Sequence, residues 1–324
     1  MSTVTMAQAL NQALHDAMAE DDRVLVFGED VGTLGGVFRI TDRLAERFGD
    51  RRCFDAPLAE SGIVGTALGL ALYGYRPVVE MQFDGFSYPA AEQVISHVAK
   101  YRNRSRGRLR LPLTIRIPFG GGIGGAEHHG ESPETYYAHT AGLTVVAPAT
   151  AADAYGLLRA AIELDDPVVF LEPKRRYWSK EDVELPAPIP PIGAAVVRRE
   201  GTDCTVVAYG PAVRVALDAA EAAAEDGHSI EVLDLRSLVP LDEDTLLGSV
   251  RKTGRCVVVH EAPSTLGFGA EVAAIVGQHA FHELRAPVLR VTGFDVPYPP
   301  AKIERYYLPD VDRVLDAVDQ AIRQ

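Results

Sequence analysis

Glu60 stands immediately before a run of small residues, Gly62, Gly65 and Gly69, within residues 55–86, DAPLAESGIVGTALGLALYGYRPVVEMQFDGF. A carboxylate at the mouth of a helix is placed to hold or move a proton. On the local pattern alone a plainer reading is stronger: Glu60 or Ser61 caps the helix start, where acidic and hydroxyl side chains are favoured. Gly65 and Gly69 lie four apart, so they share a face on which another backbone can approach closely. Gln82 and Phe86 arrive from the next strand and loop. A second acidic pair, Glu29-Asp30, ends the apolar run at residues 24–27, and ligands in α/β sheets bind at the carboxyl ends of strands. A third group lies at residues 120–133, GGGIGGAEHHGESP, which present His128 and His129 on a Gly-rich loop. A histidine on such a loop suits proton transfer; a histidine satisfied by its neighbours is the equal alternative.

Two other chemistries fit that loop poorly. Gly120, Gly122 and Gly125 form a G-x-G-x-x-G, but a dinucleotide fingerprint needs the third glycine to open an apolar helix. Here the glycines run into Ala126-Glu127-His128-His129-Gly130, which is no helix start. A zinc site is also disfavoured: adjacent histidines lack the i, i+4 spacing of helical ligands, and no third ligand is nearby in sequence.

The elements that must position these groups follow from periodicity. Residues 5–19 read as an amphipathic helix, and further helices are expected at 41–48, 61–73, 90–101 and 151–164. Strands are expected at 24–27, 78–83, 113–117, 143–147 and 167–171. Gly74 stops the helix that follows Glu60. The helix at 90–101 runs into Lys100, Arg102, Arg104, Arg106, Arg108 and Arg110; a solvated face or a subunit contact explains this basic cluster better than a nucleic-acid surface. Residues 187–191, APIPP, are a linker. Beyond it, strands at 204–209, 229–235, 256–260 and 288–291 alternate with helices at 212–225, 243–252, 270–281 and 311–322. That alternation predicts two α/β domains, 1–186 and 187–324, each a mostly parallel sheet flanked by helices.

Composition narrows the class. The 324 residues are 47% hydrophobic and 24% charged, as in ordinary globular proteins, and a net charge of −13 argues against nucleic acid or an anionic membrane as main partner. Cys53, Cys204 and Cys256 form no CxxC pair, which favours a reducing compartment. The N-terminal MSTVTMAQALNQALHDAM has no basic-apolar or Arg-rich leader pattern, and the apolar run at 62–75 is too short and Gly-rich to span a bilayer. A cytoplasmic protein without a membrane span is expected.

Six motifs in order, GEDVGTLGGVFR (28–39), PLAESGIVG (57–65), EMQFDGF (80–86), HHGESPE (128–134), VVHEAPSTLGFGAE (258–271) and VTGFDVPYP (291–299), resemble the beta subunit of thiamine-diphosphate-dependent 2-oxo acid dehydrogenases. The resemblance covers nearly the whole chain. It implies a pyrimidine-binding domain followed by a transketolase C-terminal-like domain. It implies that Glu60 hydrogen-bonds the cofactor's aminopyrimidine and favours its imino tautomer, which calls for a sheltered carboxyl with a raised pKa. Glu29, Leu58, Gln82 and Phe86 match positions around that ring, with Phe86 stacked on it. His129, not His128, matches the family histidine that serves decarboxylation and acyl transfer to a lipoyl group. Leu113, Thr114, Ala161, Leu164 and Asp166 match backbone positions that hold potassium. Thiamine enzymes hold the diphosphate through magnesium on a G-D-G segment, and this chain has none. The resemblance therefore implies half of a site, completed by an alpha subunit in an assembly of two alpha and two beta chains, docked on a lipoyl acyltransferase core. Branched-chain 2-oxo acids are the expected substrates; pyruvate and then acetoin are the alternatives. From other classes, a nicotinamide or flavin oxidoreductase would use the Gly-rich loop, and a scaffold subunit would have lost Glu60 or His129, yet both are present.

Overall fold

A computed structural model describes residues 2–324. The chain divides into two compact units: one runs up to Phe119 and resumes over Tyr136–Ile192, and the other comprises Gly120–Thr135 and Gly193–Gln324. The elements begin with β1 (Ser2–Thr5), α1 (Met6–Glu20), β2 (Val24–Gly28), α2 (Leu44–Phe48), β3 (Cys53–Asp55), α3 (Glu60–Leu72) and β4 (Arg76–Glu80). They continue with α4 (Tyr101–Arg104), β5 (Thr114–Phe119), α5 (Glu134–Ala138), β6 (Thr144–Val146), α6 (Ala151–Glu163), β7 (Val168–Pro173) and β8 (Lys180–Val183). After the linker come β9 (Val196–Arg199), β10 (Cys204–Ala208), α7 (Ala212–Glu225), β11 (Ile230–Asp234), β12 (Ser237–Val239) and α8 (Glu243–Thr253). The chain closes with β13 (Cys256–Pro263), α9 (Phe268–His279), β14 (Leu289–Gly293), α10 (Glu304–Tyr307) and α11 (Val311–Arg323).

In the first unit, α1 starts where its sequence says it should. Thr5 accepts from the Gln8 backbone N–H, and the Gln8 side chain accepts from that of Thr5, a reciprocal cap. Its apolar stripe, Met6, Leu10, Leu14 and Met18, is buried in one cluster with Leu157, Leu158 and Ile162 of α6. The sheet runs β6-β7-β5-β4-β2-β3, and every neighbouring pair is parallel. Strand β2 pairs with β3 on one side and β4 on the other. The chain therefore reverses direction across the sheet at β2, and a crevice opens at its carboxyl end. β1 and β8 form a separate antiparallel ribbon that sequence patterning does not predict.

Four local expectations need correction. The cap position of α3 is Ala59, which makes no side-chain cap bond; Glu60 is the first helical residue. Nor does another backbone of this unit close on the α3 glycines. A Cβ at Gly69 would meet nothing within 4 Å, and one at Gly65 would meet the Gln93 side chain at 3.6 Å. The expected helix at 90–101 is broken. A 3-10 turn at Asp84–Ala90 contains Pro89, which cannot donate to a helical ladder, and a π-turn at Gln93–His97 follows before α4. The helix expected at 41–48 shortens to α2, because Arg43 takes a left-handed backbone conformation, φ 61°.

The second unit has the order β14-β13-β10-β11-β9, parallel except for β9 at the edge. Here the reversal falls at β10, which lies between β11 and β13. The two sheets meet the expectation of α/β folding with mostly parallel strands. Among the described residues no helix is long and apolar enough to cross a membrane.

One buried histidine in this unit makes stability depend on pH. His260, on β13, is fully buried, and burial, reinforced by the Arg290 charge, lowers its pKa from 6.5 to about 4. The unfolded chain therefore binds a proton between those values while the folded chain does not. Stability is full above pH 6.5 and is lost as pH falls toward 4, by about 3 kcal/mol at the limit. Melting curves of wild type and His260→Asn across that range should differ in slope, with the variant flatter. Parallel curves would remove His260 as the cause.

Candidate active site

Three adjacent strands deliver the first group of candidate residues to the crevice of the first sheet. Glu29 follows β2 directly, Glu60 opens the helix reached from β3, and Gln82 lies just beyond β4. Glu29 and Glu60 are both buried, each 7% exposed. Burial, then the Glu60 charge and then that of Asp30, raise the Glu29 carboxyl above the ordinary carboxylate range. The Glu29 Oε1 atom is buried and has no hydrogen-bond partner among the described residues. A buried acceptor left this way costs free energy unless a ligand meets it. Gln82 donates from Nε2 to Asp30 Oδ2 at 2.9 Å, which fixes its amide beside the strand end.

The loop after Glu29 is fastened rather than free. Asp55, at the end of β3, accepts from the Gly32 N–H at 2.7 Å and from the Thr33 hydroxyl at 2.8 Å, and the Thr41 hydroxyl donates to the Val31 carbonyl at 2.8 Å. Phe86 is half-buried on the 3-10 turn and packs edge-on against Phe83, with centroids 6.0 Å apart. Asp84, at the head of that turn, forms a buried ion pair with Lys174. Leu58 is 81% exposed, so within this chain it lines no enclosed space.

The second unit carries the histidines. His129 is half-buried and its backbone N–H donates to the Ala126 carbonyl at 2.9 Å; the His128 and His129 rings meet at 4.1 Å between centroids. Their loop lies at the carboxyl end of the second sheet, at its own reversal. The Tyr209 hydroxyl, just past β10, donates to Glu134 at 2.7 Å, and Glu261 of β13 accepts from the Gly121 N–H at 2.9 Å. Two further groups hold the same loop: Glu304 accepts from the Gly122 and Gly124 N–H groups, and Tyr298 donates to Glu304. Sequence reading missed Asp30 as the anchor of Gln82, and it missed Glu261, Tyr298 and Glu304. The glycine excess of the loop signals close approach by something, but it does not name the partner.

The five backbone positions matched to potassium lie at the start of β5 and around the turn from α6 into β7. The Leu113 carbonyl accepts from the Val168 N–H at 2.9 Å, and the Leu164 carbonyl accepts from Arg76 at 3.1 Å. Thr114 and Ala161 are buried, and the Asp166 side chain pairs with Arg102. Arg110 pairs with Asp165, so two members of the basic cluster are neutralised within the chain. Among the described residues no group of three or more His, Cys, Asp or Glu side chains could hold a metal ion.

Comparison with known proteins places this geometry in context. The family model described as "Transketolase, pyrimidine binding domain" matches residues 2–179, and "Transketolase, C-terminal domain" matches residues 193–314. The chain is 60% identical to the 3-methyl-2-oxobutanoate dehydrogenase subunit beta of Mycobacterium tuberculosis, over 99% of this chain and 93% of that protein. It is 55% identical to the pyruvate dehydrogenase E1 component subunit beta of Leifsonia xyli, over 99% and 96%. It is 47% identical to the 2-oxoisovalerate dehydrogenase subunit beta of Pseudomonas aeruginosa, over 97% and 93%. A solved structure described as a split-gene transketolase, inactive beta4 tetramer, superposes with a TM-score of 0.82 at 25% identity, covering 99% of this chain and 98% of that one.

Proposed function

Because the chain belongs to the beta-subunit family of thiamine-diphosphate-dependent 2-oxo acid dehydrogenases, we propose that it is the beta half of a branched-chain 2-oxo acid decarboxylase that passes its acyl group to a lipoyl carrier. The observation that carries the mechanism is the buried carboxylate pair, Glu29 and Glu60, at the switch point of the first sheet, with Glu29 Oε1 awaiting a donor. An amino-substituted ring supplies such donors, so these residues fit an aminopyrimidine. When bound, thiamine diphosphate supplies the nucleophilic carbon that adds to a 2-oxo group and holds the electrons left when carbon dioxide departs.

The chain's own residues have the following roles in this reading. Glu60 holds the hydrogen bond to the ring nitrogen, and Glu29, with its raised pKa, holds the second polar edge. Gln82 is kept in place by Asp30 and orients the ring; Phe86 covers its face. Leu58 completes the apolar wall once a second chain covers it. His129 moves a proton at the substrate during decarboxylation and acyl transfer. Magnesium belongs to the diphosphate end, which an alpha chain contributes, in an assembly of two alpha and two beta chains on a lipoyl acyltransferase core. The open α3 glycine face and the exposed Leu58 support a need for partners. Potassium is assigned to the carbonyls of Leu113, Thr114, Ala161, Leu164 and Asp166. The Leu113 and Leu164 carbonyls each accept a hydrogen bond and keep a second lone pair.

The substrate assignment follows the 60% identical relative, and the 55% identical one supports pyruvate as the second reading. The test is co-expression with the alpha chain, then decarboxylation of 3-methyl-2-oxobutanoate against pyruvate with an artificial electron acceptor, each in potassium and in sodium buffers. The branched acid should turn over at least about tenfold faster in kcat/KM, an increment one or two methylenes can supply. It should do so with both chains present and better in potassium. Preference for pyruvate keeps the mechanism and overturns the substrate; activity without the alpha chain overturns the half-site; equal rates in sodium overturn the potassium assignment.

A further inference from the structure

We propose that Glu304, with Tyr298, is the positioning latch that holds the His129 loop in its working conformation; the inference rests on the role of His129 given above. The Gly-rich loop offers a row of backbone N–H groups of the kind that binds anions. In this chain the row is already filled from within the same unit. Glu304 takes the Gly122 N–H at 2.7 Å through one oxygen and the Gly124 N–H at 3.1 Å through the other. Glu261 takes the Gly121 N–H at 2.9 Å, and the Tyr298 hydroxyl donates to Glu304 at 2.6 Å. Both carboxylates are buried, Glu304 8% and Glu261 4% exposed. A phosphate could enter only by displacing them, which accounts for a G-x-G-x-x-G pattern with no nucleotide role.

Tyr298 is also the form around which the loop is moulded. A Cβ at Gly121 would overlap its hydroxyl, and one at Gly130, next to His129, would overlap its ring. The loop is thus held at both ends of its glycine run by one aromatic ring, itself packed at 5.0 Å against Tyr307. The glycines provide the close fit, not looseness. A charge-assisted bond spans two N–H groups, so removing Glu304 frees both at once and exposes them to water. His129 then loses its fixed approach, while the aminopyrimidine residues of the first unit keep theirs.

The test uses the enzyme assembled with its alpha chain. Amide hydrogen exchange is read at residues 121–130, together with kcat and KM for acylation of a lipoyl domain and KM for thiamine diphosphate. Glu304→Ala should speed exchange at Gly122 and Gly124 about tenfold, the effect of one lost charged hydrogen bond. It should lower kcat about tenfold, with KM for thiamine diphosphate unchanged. Glu304→Gln, which keeps one acceptor oxygen, and Tyr298→Phe, which keeps the ring, should fall between wild type and Glu304→Ala in both readouts. These two variants carry the test should Glu304→Ala not fold. Unchanged exchange at 122 and 124 in any folded variant overturns the latch. Faster exchange with unchanged kcat overturns its link to His129. An enzyme that acylates no lipoyl domain in its wild-type form overturns the function proposed above, and the exchange measurement still decides the latch.

Discussion

Glu60→Gln in the assembled enzyme should lower decarboxylation by about two to four orders of magnitude, the span of a lost general acid–base group. It should leave the melting temperature almost unchanged. The substitution keeps shape and volume, and Glu60 makes no cap bond whose loss would unravel α3. The folded state loses at most the attraction between a first-turn carboxylate and the helix N-terminus, about 0.3–1 kcal/mol. It gains relief from a like charge, since Glu60 is one of the groups that raise the Glu29 carboxyl. A large kinetic effect with a small thermal one is the mark of a chemical role. The measurement is turnover with an artificial electron acceptor at saturating thiamine diphosphate, beside a melting curve of the same preparation. Retention of full activity by Glu60→Gln would sink the mechanism, whatever the substrate.

The sequence exposes Glu29 and Gln82 because each sits at the carboxyl end of a short apolar strand, and Glu60 because a run of small residues marks the helix it opens; both are local properties. Short apolar runs closed by Gly28-Glu29-Asp30 or followed by Gln82 announce where the crevice must be once parallel pairing is assumed. What holds those residues is not local. Glu304 meets Gly124 across 180 residues of chain, and Arg116 meets Glu172 across 56. No periodicity connects such pairs, so the latch and the buried charge network escape a single sequence. The helix expected at 90–101 fails for the opposite reason. A helix-like run of residues was visible, but the Asp84-Gly85-Phe86-Ser87-Tyr88-Pro89 turn chemistry ahead of it forced 3-10 and π geometry. The glycine face of α3 is legible as a close-packing surface, yet no backbone of its own unit closes on Gly65 or Gly69.

Arg116→Met should destabilise the first unit by about 3–5 kcal/mol, the cost of orphaning a buried ion pair. That corresponds to a drop on the order of 10 °C in melting temperature. Arg116 is fully buried on β5, the central neighbour of β4 and β7. Parallel register puts it directly opposite Glu80 and on the same face as Glu172. It donates to Glu172 at 2.7 and 3.0 Å and to Glu80 at 2.8 Å, while the Tyr177 hydroxyl donates to Glu172 at 2.6 Å. One cation thus serves two acids. Burial alone would lower the Arg116 pKa, but Glu172 and Glu80 outweigh it and hold the guanidinium charged. Burial raises Glu80 despite the attraction of Arg116. Without Arg116, Glu80 faces burial without its counter-charge and its pKa rises further. A raised carboxyl pKa favours the folded state at low pH, and that advantage is lost as pH rises through the folded value. The deficit of Arg116→Met should therefore shrink as pH falls, opposite to the His260 effect, and the triple variant with Glu80→Gln and Glu172→Gln should recover part of it at neutral pH. The loss should reach the site as well. β4 leads straight from Glu80 to Gln82, and the neighbouring Asp84–Lys174 pair pins the turn that carries Phe86. A melting temperature within 2–3 °C of wild type, about 1 kcal/mol by the same scale, would mean that the network is wet or rearranged and that the sheet, not its charges, sets the position of Gln82 and Phe86.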